Sequence, residues 1–362
     1  MADGHPTFQA DLLAWYDQAA ADLPWRRTRA PYHVWLSEIM LQQTQVETVI
    51  PYYERFLAAF PTIQALAEAP LDDVLKLWEG LGYYSRARNL HRAAQIIAHD
   101  MGGYIPTTAE GWRQLPGIGR YTAGAIASIA FEECTPVLDG NVIRVFARLL
   151  DLDADVTETA VKNDLWQRAE AWMPPTRPGD YNQALMDLGR TICKPRSPLC
   201  SDCPIQASCA AHAHGTQDER PVKTPRAATP HHDVAAGIIW NERGKLLIAQ
   251  RPLDGLLGGL WEFPGGKREP GEELPDCLKR ELREELAIEV RVGDLFFVVK
   301  HGFTHFRITL HAFTCQYLSG PPQAIGVRDW AWVTPHQLDT YSFGKADREV
   351  ITAILERENR LF

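Results

Sequence analysis

Four of the seven cysteines in this 362-residue chain fall within seventeen residues, at Cys193, Cys200, Cys203 and Cys209, with the spacing C-x6-C-x2-C-x5-C. Four thiolates gathered at one place suit zinc or an iron–sulfur cluster. Structural zinc usually takes two short cysteine pairs. Here only Cys200 and Cys203 form such a pair, and the wider arms around it favour a larger object, a 4Fe–4S cluster. Two further groupings could do chemistry. In Leu115-Pro116-Gly117-Ile118-Gly119-Arg120-Tyr121, paired glycines and a basic residue stand at the start of a helix. A helix N-terminus with free N–H groups binds phosphate. Far downstream, Glu281, Glu284 and Glu285 stand at i, i+3 and i+4 and share one helix face. Three crowded carboxylates repel unless a divalent cation binds them, and Mg²⁺ there would bridge a diphosphate.

The elements that must position these groups fall into two kinds. Up to residue 215 the apolar periodicity is helical, in Phe8–Ala21, Val34–Glu47, Val49–Phe60, Leu71–Glu79, Leu90–His99, Thr122–Phe131, Val142–Leu150 and Thr159–Trp172. Thr107-Thr108-Ala109-Glu110 reads as a capping box opening the first helix of the glycine hairpin. Residues 216–231 belong to a polar, aperiodic stretch rich in Pro and Ala, and read as a linker. From 232 to 362 the pattern turns to strands at Val234–Trp240, Leu246–Arg251, Ile288–Val292, Phe296–Lys300, Phe306–Tyr317 and Trp330–Val333, with helices near Pro275–Leu286 and Lys345–Glu356. A multidomain chain is expected: an all-α domain over 1–215 carrying the cysteine loop 193–209, then an α/β or α+β domain over 232–362. No run of about eighteen apolar residues occurs, so no membrane span is expected. The first residues, MADGHPTFQADL, read as no secretory signal. Thiolate ligands argue for a reducing compartment, the cytoplasm. The net charge of −9 excludes a globally basic surface, so nucleic acid would have to be held by local patches and backbone donors.

Two isolated carboxyls complete the chemistry-bearing set. Glu38 lies between Leu36 and Met40 on an apolar helix, where burial would raise its proton affinity. Asp139 follows the apolar run Thr135–Leu138 and precedes a Gly-Asn turn into a helix. The glycine hairpin, the run Val137-Leu138-Asp139-Gly140-Asn141-Val142 with Arg144, and the cysteine spacing together resemble the helix–hairpin–helix DNA glycosylase superfamily. Trp35-Leu36-Ser37-Glu38-Ile39-Met40-Leu41-Gln42-Gln43-Thr44-Gln45-Val46 is similar to the adenine glycosylases of the MutY family.

That resemblance implies a six-helix barrel with a cluster subdomain, and an enzyme that removes adenine misincorporated opposite 8-oxoguanine or guanine. It assigns Glu38 as the acid that protonates adenine, Asp139 as the carboxylate that stabilises the sugar cation, and Tyr121 and Asn141 as positioning residues. Trp25, Arg26 and Leu41 are expected in the adenine pocket, and Gln42, Gln43 and Tyr83 as wedges that fill the flipped-out base's place. Gly117, Gly119, Arg120, Arg86, Arg88, Lys194 and Arg196 are expected on phosphates. Lyase members of the superfamily carry a lysine where this chain has Tyr121, and a phenol forms no Schiff base, so a monofunctional glycosylase is expected. The partner is then double-stranded DNA, bound by a monomer.

Gly266-x5-Glu272-x7-Arg280-Glu281-Leu282-x-Glu284-Glu285-x-Ala287-Ile288 is a Nudix box, with Ala287 where glycine is usual. In the resembled family this domain reads 8-oxoguanine rather than hydrolysing nucleotides. Phe303, Thr304 and His305 match the reading loop, with threonine in place of the common serine. Mg²⁺ on Glu281, Glu284 and Glu285 is therefore a secondary cofactor expectation. Two rival readings stand beside the main one: a Nudix-type nucleoside-diphosphate hydrolase with a DNA-binding arm, and a helix–hairpin–helix glycosylase/lyase for oxidised pyrimidines.

Overall fold

The computed structural model describes residues 8–224 and 229–358. These fall into two compact units, one holding residues 8–68 and 89–224, the other residues 69–88 and 229–358.

The first unit is helical. Its helices are α1 (Phe8–Ala19), α2 (Pro31–Leu41), α3 (Val46–Ala59) and α4 (Ile63–Glu68), all ahead of the excursion into the other unit. That excursion carries α5 (Leu71–Trp78) and the start of α6 (Ser85–Gln95). Then follow α7 (Ala109–Trp112), α8 (Arg120–Phe131), α9 (Gly140–Leu149), α10 (Thr159–Ala171), α11 (Pro178–Thr191) and α12 (Ala210–His214). α8 packs on α2 and α11, and α11 also packs on α9 and α1. Eight consecutive residues of α8, Thr122–Ile129, are buried, and most are small, so its neighbours can approach closely on several sides. Gly189 lets α11 approach α9: a Cβ there would lie 2.6 Å from the Asn141 Cβ.

Three departures from the periodic reading bear on the site and its surroundings. α2 ends at Leu41, six residues before the expected Glu47, because the chain turns at Gln42-Gln43 with Gln43 in the left-handed region (φ 59°). α7 is capped by Thr108, whose hydroxyl accepts the Gly111 N–H at 3.2 Å. Its third position is therefore Gly111, so the expected capping box is not formed, and Glu133 Oε2 takes the Ala109 N–H at 2.7 Å instead. α11 had no assigned bounds because its buried face carries Gly179, Asn182, Asp187 and Gly189 among its leucines, which blurs the apolar period.

Residues 216–224, expected as a free linker, are pinned to the helical unit. Arg148 Nε donates to the carbonyls of Gln217 (2.8 Å) and Arg220 (3.1 Å). Arg220 pairs with Asp151 at 2.9 Å, and the Val156 N–H reaches the Val222 carbonyl at 3.1 Å.

The second unit is a mixed sheet between two helices. Its strands are β1 (His231–Trp240), β2 (Leu246–Gln250), β3 (Trp261–Glu262), β4 (Gly265–Lys267), β5 (Glu289–Gly302), β6 (Arg307–Ser319) and β7 (Asp329–Val333); its helices are α13 (Leu274–Leu286) and α14 (Lys345–Glu358). The order is β3-β2-β1-β6-β5, with β4 also on β1 and β7 also on β2. β1 and β6 run parallel, from His231 opposite Arg307 to Trp240 opposite Gln316. Alternation along β1 sends Ala236 and Ile238 to the core under α14, and Ala235 and Ile239 to the core under α13. Both faces of the central strands are thus covered, which explains their unbroken apolar runs. β5 is one strand where two were expected, because register shifts between Val292 and Phe297 carry it across the gap.

Residues 69–88 dock here. Gln250 Nε2 donates to Asp72 Oδ1 at 3.0 Å, Lys76 Nζ to the Tyr341 carbonyl at 3.0 Å, and Arg348 Nη2 to Glu79 Oε2 at 3.1 Å. α13 ends on Ala287 at φ 55°, the left-handed position where the box normally has glycine. A Cβ in that conformation costs roughly 1 kcal/mol. Ala287→Gly is therefore expected to stabilise the protein by roughly 1 kcal/mol in denaturant unfolding.

Candidate active site and cysteine loop

Glu38 lies in α2 and is only 6% exposed. Its Oε2 accepts the Tyr121 hydroxyl at 3.0 Å, and the same hydroxyl lies 3.1 Å from the Met186 sulfur. Burial is the main force on Glu38 and raises its pKa to about 7; the Tyr121 bond opposes this, the Asp139 charge adds to it, and the Arg26 charge opposes it. Glu38 therefore takes and gives up a proton near neutrality, well above the ordinary carboxyl range.

Asp139 is the N-cap of α9. Its Oδ1 accepts the N–H groups of Asn141 (2.9 Å) and Val142 (2.8 Å), and its Oδ2 accepts the Asn141 side-chain amide at 2.9 Å. Burial raises its proton affinity, and these three donors with the Arg144 charge offset that only in part. The network continues outward. Asn141 Oδ1 accepts from Arg144 Nη2 at 2.9 Å, and Arg144 Nε donates to the Cys193 carbonyl at 2.7 Å. Arg144 Nη2 also donates to the Gly189 carbonyl at 2.7 Å.

One cavity of about 520 Å³ joins these groups. Glu38, Asp139, Tyr121, Asn141, Trp25, Arg26 and Leu41 all line it. Gln183, Met186, Asp187 and Arg190 from α11 also line it, as do Thr44, Gln45, Val46 and Glu47 after the early end of α2. Sequence reading missed the α11 group for want of a clear period, though a polar-rich stretch just ahead of the cysteine loop was a usable signal. No lysine lines the cavity among the described residues.

Several expected contact residues are engaged otherwise. Gln42 and Gln43 do not line the cavity; the Gln42 amide donates to the Thr122 hydroxyl at 3.0 Å. Arg86 is buried, with Nη2 on the carbonyls of Leu81 (3.2 Å) and Gly82 (3.1 Å) and its guanidinium over Trp78, so it shapes its turn rather than meeting phosphate. Arg88 Nη1 is spent on the Gly258 carbonyl at 2.7 Å. Arg120 lies over the Trp166 ring at 3.9 Å and pairs with Glu170. Lys194 and Arg196 are exposed. At the hairpin, Gly117 sits at φ 74° against Asn89, where a Cβ would come within 2.6 Å of the Asn89 Cβ. Gly119 is the N-cap of α8, and no side chain caps that helix.

In the second unit, residues 303–306 form the loop between β5 and β6, closed by Phe303 N–H to the Phe306 carbonyl at 2.8 Å. Phe303 packs between Phe306 (4.8 Å) and His301 (4.7 Å), against the core under α14. His305 is exposed. The Thr304 hydroxyl bonds the Tyr83 hydroxyl at 2.8 Å, and Tyr83 is held at φ 47°. The expected wedge Tyr83 and the expected reading loop thus meet through paired hydroxyls.

Among the described residues no three His, Cys, Asp or Glu side chains are arranged to hold a metal ion. For the cysteine loop the donor chemistry nevertheless fits a thiolate-bound group. The charges of Cys193, Cys209 and Cys200 all reach Cys203, whose thiol burial pushes up to about 11. Arg148 Nη1 donates to the Cys193 sulfur at 3.2 Å. For Mg²⁺ the expected carboxylates are partly engaged by an internal cation. The cation beside Glu281 (3.0 Å) and Glu284 (3.2 Å) is the Arg280 guanidinium, which Glu272 also grips at 2.9 Å. Glu285 has one carboxylate oxygen buried without a hydrogen-bond partner, and burial first, then the Glu281 charge, raises its pKa to about 7.

Residues 36–171 match the HhH-GPD superfamily of base excision DNA repair proteins, and residues 235–353 match the NUDIX domain. The adenine DNA glycosylase of Rattus norvegicus is 39% identical over 95% of this chain and 77% of its own length. That of Homo sapiens is 39% identical over 95% of this chain and 73% of its own. Among solved structures, a thermostable thymine-DNA glycosylase superposes with a TM-score of 0.53 at 28% identity, covering 58% of this chain and 97% of that one.

Glu38 carries a stability cost with a defined pH window. Its pKa in the fold, about 7, lies above the ordinary 4.5, so the stability this position allows is full below about 4.5 and is lost as pH rises through about 7. Glu38→Gln removes that cost. The variant is expected to gain on the order of 3 kcal/mol over the parent above neutrality, at about 1.4 kcal/mol per unit, and little at acid pH. Thermal unfolding across pH checks this, and a gain that does not depend on pH would refute it.

Proposed function

This chain belongs to the adenine DNA glycosylase family, and we propose that it is a monofunctional member that excises adenine mispaired with 8-oxoguanine or guanine and leaves an abasic site. The observation that carries this reading is one cavity in which a buried Glu38, a capped Asp139 and Tyr121 stand together, with no lysine on its wall among the described residues. The adenine leaves the base stack for this cavity, with Trp25 and Leu41 on its apolar walls. As the C1′–N9 bond breaks, its electron pair passes to the base and Glu38 gives the proton that makes adenine a competent leaving group. The sugar is left as an oxocarbenium-like cation, which the Asp139 carboxylate faces and stabilises. Asn141 holds that carboxylate in place, a water adds at C1′, and its proton returns to Glu38.

DNA is gripped by the uncapped start of α8 at Gly117–Gly119 and by the exposed Lys194 and Arg196. Cys193, Cys200, Cys203 and Cys209 hold a 4Fe–4S cluster on this reading; when bound it contributes structure to the loop that presents those two cations. The Phe303-Thr304-His305 loop, with Tyr83, inspects the base opposite the adenine.

Single-turnover excision on duplexes carrying adenine opposite 8-oxoguanine, guanine, cytosine and thymine tests the reading. The first two are expected to react fastest, Glu38→Gln and Asp139→Asn to lose at least about a hundredfold, and borohydride to trap no protein–DNA adduct. Both variants reacting at the parental rate, or a strong trapped adduct, would overturn it.

A further inference from the structure

We propose that Asp187 is a positioning residue for excision: it clamps the Arg26 guanidinium to the α11 wall of the cavity and so keeps that cation from pairing with Glu38. The proposal rests on the reading of Glu38 as the acid. Arg26 Nη1 meets Asp187 Oδ2 at 2.7 Å and Nη2 meets Oδ1 at 3.0 Å, a two-toothed grip. Asp187 is 4% exposed. Arg190 Nη2 reaches the same carboxylate, at 3.3 Å from Oδ1. Arg26 and Arg190 are the only cationic side chains lining the cavity among the described residues. One buried carboxylate therefore holds both.

Charge is thereby sorted within the cavity. Around Glu38 stand Tyr121 and Asp139, with the Arg26 charge felt at a distance. Around Arg26 stand Asp187 and the Tyr16 ring, 5.7 Å from the guanidinium. The charges of Asp180 and Arg177 also reach Tyr16, and Arg144 faces Asp139. Arg26 Nε is buried without a hydrogen-bond partner, so only the fork of the guanidinium is fixed, and fixed only by Asp187. Released, the cation has two carboxyls of the site to turn to, Glu38 and Asp139; Asp139 already accepts three hydrogen bonds from Asn141 and Val142, which leaves Glu38 as the one that would hold it. A guanidinium at hydrogen-bond distance favours the ionised carboxylate by one to three pKa units, roughly. Ionised Glu38 has no proton to give.

The test is the pH profile of single-turnover adenine excision by the full chain, from roughly pH 5 to roughly pH 9. The parent rate is expected to fall as pH rises through about 7. In Asp187→Asn the falling limb is expected to move down by at least about one pH unit, with the rate recovering toward the parent at acid pH. In the double variant Arg26→Met with Asp187→Asn, where Arg190 is the one cation on the cavity wall among the described residues, the limb is expected back at or above the parental position, and a limb that stays shifted down there assigns the effect to Arg190 and overturns the role given to Arg26. Arg26→Lys keeps the charge and loses the fork, so it should shift the limb the same way, and it serves as the readout if Asp187→Asn does not fold. A limb that stays at the parental pH in every folded variant, with only the melting temperature lowered, makes Asp187 a structural partner and overturns the inference. A parent that excises no adenine overturns the functional reading instead.

Discussion

The site depends on the close crossing of α9 and α11, where Gly189 brings one backbone against Asn141. Only there can Asp139 cap α9 while Asn141, bound to that cap, is held from behind by Arg144. Arg144 also donates to the carbonyls of Gly189, Cys193 and Gly140. A helix cap is normally a stability device worth about 1 kcal/mol. Here the same carboxylate lines the cavity, so its orientation is set by the fold before any ligand arrives. The constraint also explains why the cysteine loop follows α11 directly: the last turn of that helix and the first loop carbonyl share one guanidinium.

Proton affinity is set by enclosure rather than by a dedicated partner. Glu38 and Asp139 each sit where burial outweighs the donors around them. Placing two such groups in one cavity is unfavourable for the fold, because burial disfavours the charged form of each. The apolar helix α2 bears that cost, with eight of its eleven residues buried.

The parts of the site that could be read from sequence were those in which residue type and local spacing already imply environment. Glu38 in an apolar helix and Asp139 before a Gly-Asn turn announce burial and capping. Gln183, Asp187 and Arg190 did not, because a helix whose hidden face is polar and glycine-rich has no clean period. Arg86 and Arg88 show the opposite case. A basic side chain has the same letter whether its guanidinium faces solvent or closes on carbonyls and rings, and only the packing decides. The second unit was legible in its strands and helices. The membership of residues 69–88 in it was not, because docking through Asp72, Lys76 and Glu79 uses polar contacts that leave no pattern.

Arg148 sits in the core and binds five groups from two stretches of chain: the Cys193 sulfur, the carbonyls of Lys194 and Pro195, and those of Gln217 and Arg220. Neither stretch can let go of it without stranding a buried cation. The cysteine loop and residues 216–224 therefore share one buried anchor. Damage to the thiols would accordingly announce itself at a distance, as faster amide exchange and easier proteolysis in the chain that leaves the helical unit.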